Sequence, residues 1–119
     1  MEMQVDVWLR GTDFAKTEKI EGIAREPGAW LDEDVRQVLE GMLATMHRLK
    51  HPDVAAQPIA LRGLSWIVNP FEDGGVVIAI EIGMGAAVAG PFEIGQPALE
   101  AMITRVIAHS APQPSPRVH

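Results

Sequence analysis

Cysteine is absent from the 119 residues, which removes disulfides and thiolate chemistry and leaves the compartment unmarked by redox usage. Tyrosine is absent too, and three tryptophans and three phenylalanines are the whole aromatic complement. A base-stacking surface therefore has little to build with. Cations are outnumbered, with 10 Lys and Arg against 16 Asp and Glu for a net charge of −6. Residues 1–50 hold 10 acids and 7 bases, and residues 51–119 hold 6 and 3. Neither half offers the Lys/Arg footprint that a phosphate backbone requires, so nucleic acid is not an expected partner. No run reaches the roughly 18 apolar residues of a membrane span. The opening Met1–Asp6 lacks the basic region and apolar run of a signal peptide, so a cytoplasmic protein that engages no membrane is expected.

What is present is a globular composition, 47% apolar and 22% charged. It suits one domain, residues 1–109, with a flexible proline-rich tail over 110–119. The apolar centre is Ile59–Phe92. Two β-branched runs, Ile59–Val68 and Val76–Ile82, flank the turn-rich Asn69–Gly75 and read as a hairpin with a long loop. Val76, Ile78, Ile80 and Ile82 share one face of the second run, with Val77, Ala79 and Glu81 on the other. The first run changes phase at Gly63, which a bulge near Arg62–Gly63 would absorb. Pro70 cannot donate to a ladder, so the strand is expected to stop at Asn69. Gly83–Phe92 is open to two readings, a turn at Met84–Gly85 with a strand over Ala86–Ala89, or a Gly-rich ligand loop.

Around this centre, Met3–Arg10 alternates as a one-sided strand, and Thr17–Arg25 is a weaker strand candidate interrupted by Gly22. From Trp30 the period becomes helical, with Val35, Val38, Leu39, Met42, Leu43, Met46 and Leu49 forming one stripe. Asp32–Glu33–Asp34 suits the positive end of that helix and His47, Arg48, Lys50 and His51 the negative end, before Pro52. A second helix opens at Pro97 and buries Leu99, Met102, Ile103, Val106 and Ile107. The order β(β)αββ(β)α predicts an α+β fold, an antiparallel or mixed sheet of 3–5 strands with two helices packed on one face.

No motif fixes a reaction, and neither a catalytic residue, a metal nor a cofactor is assigned. Gly83-x-Gly85 follows a strand, but Val88 stands where the dinucleotide fingerprint needs a small residue, and no βαβ unit precedes it. His47 and His51 have i, i+4 spacing, but Arg48 replaces the zincin glutamate and no third ligand is evident. Glu72–Asp73 and Asp32–Asp34 miss the calcium-loop pattern. Glu81, between Ile80 and Ile82, would act as a base only if enclosed, and alternation instead sends it outward beside Ala79, solvated or paired with Arg62 or Arg10.

What stands out is the outward face. Trp8, Val77, Ala79 and Ile67 make it too apolar for a fully wet surface, rimmed by Asp6, Arg10, Ser65 and Glu81. Two functions of different class follow. One is a non-catalytic binding or assembly domain that pairs with itself, as a homodimer, or with another protein. It would use this face or a Gly/Ala-rich strand edge at Gly83–Gly90. The other is a small-molecule-binding protein or small enzyme with its site near Gly83–Gly90, including Gly83 and Gly85, and Glu81.

Overall fold

The alternation at the N-terminus is a strand in the computed structural model of the protein, which describes residues 3–20, 23–55 and 59–110. Met3, Val5 and Val7 of β1 (Met3–Leu9) are buried while Gln4 and Trp8 are exposed. β2 (Lys16–Ile20) pairs with it antiparallel, Val5 opposite Glu18. The weaker strand candidate is thus real but ends at Ile20. Of the remainder of the expected Thr17–Arg25 span, residues 21–22 lie outside the described residues, and Ile23–Arg25 are not strand. A short 3-10 turn, Pro27–Ala29, then delivers the chain to α1 (Asp32–Lys50).

In α1 the apolar stripe from Val35 through Met46 is buried. Its start is capped from within the helix. Asp34 is buried, and its carboxylate accepts the Leu31 N–H at 2.8 Å and the Arg25 guanidinium at 3.1 and 3.2 Å. The cap position itself is Leu31, whose side chain makes no capping bond.

The centre of the chain departs from the expected long first run. Strand β3 begins only at Ser65 and runs to Pro70. Residues 59–64 are not strand, although Leu61 is fully buried. The phase change at Gly63 is a bend with Gly63 at φ +69°, and no bulge is needed there. β3 also includes Pro70 rather than stopping at Asn69, which an edge position allows because the missing N–H faces away from the partner strand.

β4 (Val76–Ile82) and β5 (Gly85–Phe92) form a tight hairpin in which Ile82 pairs with Gly85, leaving Gly83–Met84 as the two-residue turn. Of the two readings of Gly83–Phe92 the turn followed by a strand holds, but the turn is Gly83–Met84 rather than Met84–Gly85, and the strand runs from Gly85 to Phe92 rather than over Ala86–Ala89. The irregularity expected at Gly63 sits here instead. Val76 pairs with Phe92 and Ile78 with Ala89, so Gly90 and Pro91 together oppose Val77. Gly90 has φ +123°, and a Cβ there would come within 2.9 Å of the Val76 carbonyl oxygen. Only glycine meets both conditions.

The five strands form one antiparallel sheet in the order β2-β1-β5-β4-β3. α1 and α2 (Gln96–Ser110) pack against each other and against one face of it. Between sheet and helices lies a single core in which Val5, Val7, Ile78, Ile80, Ala87 and Ala89 meet Leu39, Met42, Leu99 and Ile103. Trp30 closes one end, its ring tilted against Phe92 at 4.8 Å between centroids and its indole N–H donated to the Arg25 carbonyl at 3.0 Å. The fold is therefore α+β, as the element order implied. The proline-rich tail beyond Ser110 lies outside the described residues.

Candidate functional site

With both helices on one side, the other face of the sheet is open, and strand pairing fixes which side chains share it. The registers align Thr17, Asp6, Val88, Ala79 and Ile67 in one row across all five strands. Beside it runs a second row, Trp8, Ala86, Glu81 and Ser65. Val77 follows on the other side, opposite Asn69. Alternation turns all of these away from the helices, because their neighbours Val7, Ala87, Ile78, Ile80 and Val68 are buried. The sequence-derived Trp8, Val77, Ala79 and Ile67 therefore do belong to one face. Trp8 is 41% and Ile67 51% exposed, large values for such apolar side chains.

Trp8 and Ile67 would be isolated from each other without β5. Val88 and Ala86, partly exposed, lie between β1 and β4 and connect them. These two residues were not among the candidates read from the sequence. Their signal was there, in the alternation of Ala86 and Val88 with Ala87 and Ala89, but it has meaning only once the segment is known to be a strand.

The polar rim is partly committed. Thr17 Oγ1 donates to Asp6 Oδ1 at 2.7 Å across β1 and β2. Glu81 is exposed, opposite Ser65 and Ala86, and pairs with neither Arg62 nor Arg10. It is not enclosed, so nothing in its surroundings equips it as a general base.

The Gly/Ala-rich strand is not an edge. β5 is the central strand of the five, hydrogen-bonded to β1 on one side and β4 on the other. Gly85 explains how it comes to be there. A Cβ at Gly85 would collide with the Trp8 carbonyl oxygen, so glycine lets β1 close on the start of β5. Gly83 meets nothing within 4 Å and is a turn residue. The two glycines serve the hairpin and the strand pairing rather than lining a loop.

The true edges are protected. β2 is five residues long and exposes Lys16, Thr17 and Lys19. On β3 the Val68 carbonyl accepts the Gln96 Nε2–H at 3.0 Å, and Pro70 brings no donor. Lysine, proline and a covering side chain are recognised means of blocking further strand addition.

The remaining clusters show ordinary structural roles. Asp32 binds Arg105, Glu33 pairs with Arg36 at 3.9 Å and Asp34 binds Arg25, so all three acids opening α1 are engaged. Among the described residues no group of three His, Asp or Glu side chains converges as a metal site. No helix among them is long and apolar enough to cross a membrane. An open groove of about 620 Å3 lies on the helix side, lined by Trp30, Glu93, Gly95, Ala98, Met102 and Arg105 among others. Its guanidinium is already held by Asp32 at 2.9 Å through two bonds. Comparison of the chain with protein-family models finds no match, and neither do comparisons with curated proteins and with solved structures.

Proposed function

We propose that this protein is a non-catalytic assembly domain that pairs with a second copy of itself through the open face of its sheet. The observation that carries this reading is the continuous apolar band from Trp8 through Ala86 and Val88 to Ala79, Val77 and Ile67. The largest contiguous apolar patch on a protein surface is often a functional one, especially where polar residues rim it. Tryptophan at the band's flank is the residue type that most often dominates interface energy.

Two features favour a second copy over a charged partner. Strand register sets Asp6, Glu81 and Lys19 outward near the band, and Arg10, exposed in the turn just past β1, brings the four to balance, although the chain as a whole carries −6. Identical copies can therefore meet there without like-charge repulsion, and a strongly charged ligand gains nothing. The protected edges disfavour strand addition and leave face-to-face packing as the way to cover apolar surface.

Sedimentation velocity over a wide concentration range tests the proposal. The expected result is a reversible dimer that Trp8→Glu weakens by at least about 2 kcal/mol, roughly thirtyfold in Kd. A wild-type chain that stays monomeric at millimolar concentration would sink it.

A further inference from the structure

The open face is only just large enough for such a dimer. Five strands at about 4.8 Å spacing, each about seven residues at about 3.3 Å rise, cover on the order of 500 Å2. Two faces in full overlap thus bury roughly 1,000 Å2, the lower bound for a specific interface. Displacing one copy sideways by a single strand uncovers about a fifth of each face and drops below that bound. Identical faces opposed in full overlap must be related by a two-fold axis that lies in the plane between them and passes over the middle of each face. The third of the five strands is β5, and the middle residue of the row from Thr17 to Ile67 is Val88.

Resting on the self-association proposed above, we infer that the two copies pair about a two-fold axis lying between the two faces, parallel to β5 and over Val88, so that Val88 of each packs on the central strand of the other. A symmetric interface of this kind is isologous, and a residue on the axis meets its own counterpart. Val88 suits that position, being partly exposed, apolar and flanked on the same face by Ala79 and Asp6. The peripheral Trp8 and Ile67 then lie on either side of the axis, where each covers part of the second copy.

Isotope-filtered NOE spectroscopy on an equimolar mixture of 13C-labelled and unlabelled full-length chains tests this, with sedimentation on the same samples. Val88 methyl groups are expected to show intermolecular contacts to β5 of the second copy, and Val88→Glu to weaken the dimer at least tenfold while keeping its helical circular dichroism. If that variant does not fold, Val88→Thr provides the same comparison, and the NOE measurement needs no variant. A dimer disrupted by Trp8→Glu whose Val88 methyls see only their own chain overturns the central axis and leaves the face reading standing. A wild-type monomer overturns both.

Discussion

Asp32 in the first turn of α1 and Arg105 in α2 are joined by two parallel hydrogen bonds, both at 2.9 Å, across 73 residues of chain. The hydrogen bond from Arg105 holds the Asp32 carboxyl below its usual range, with the positive charge of Arg105 and a smaller effect of His109 adding to it. A carboxylate with a depressed folded pKa stabilises the fold above its unfolded pKa, and that stabilisation is lost as pH falls through the folded value. Thermal melts of wild type and Asp32→Asn should differ at neutral pH and converge in strong acid. Both side chains are solvent-exposed, so high salt should shrink the difference as well.

Asp34 is the more consequential acid of the same turn. It is buried, and removing its carboxylate leaves the Leu31 N–H without its acceptor and Arg25 without its partner. Asp34→Ala is expected to cost about 1–3 kcal/mol in urea unfolding, through loss of the cap and of a charged hydrogen bond. A cost no greater than that of Asp32→Ala would contradict the assignment of Asp34 as the residue that anchors the start of α1.

Gly83 and Gly85 should respond oppositely to the same substitution. Gly85→Ala drives a methyl into the Trp8 carbonyl, forcing β1 and β5 apart, and should cost about 1–3 kcal/mol. Gly83→Ala meets open space and should stay within about 0.5 kcal/mol of wild type. Chemical denaturation of the two variants side by side gives the comparison.

The β3 edge offers a separate test of how association is limited. Gln96→Ala frees the Val68 carbonyl, and Pro70→Thr restores a donor to the same edge. In a Trp8→Glu background, where the face is disabled, the double change should produce light-scattering association that the single Trp8→Glu variant does not show. No added scattering would mean that Gln96 and Pro70 are not what keeps this edge unpaired.

Much of the fold was legible in local periodicity. The stripe from Val35 to Leu49 and the alternations at Met3–Arg10 and Val76–Ile82 each reproduce the observed element, the first strand ending one residue earlier at Leu9, because burial on one face imposes a period that survives without knowledge of the partner. The same logic placed Trp8, Val77 and Ala79 outward. It failed at Ile59–Leu64, where a buried Leu61 and apolar neighbours resemble a strand but the chain bends at Gly63 and ladder pairing begins only at Ser65. Apolar composition reports burial, and burial is not secondary structure.

The sequence by itself determined that this chain folds as two helices over one face of a sheet, with an apolar remainder on the other. Tertiary structure alone decided the strand order. Only the pairing of β5 with both β1 and β4 puts the Gly/Ala-rich segment in the middle rather than at an edge, and only that placement joins Trp8 to Ile67 through Val88. The physical reason is that strand neighbours are set by contacts between residues far apart in the chain. Here a carbonyl at Trp8 approaches where Gly85, far along the chain, has no side chain, and no local pattern at either position reports the other.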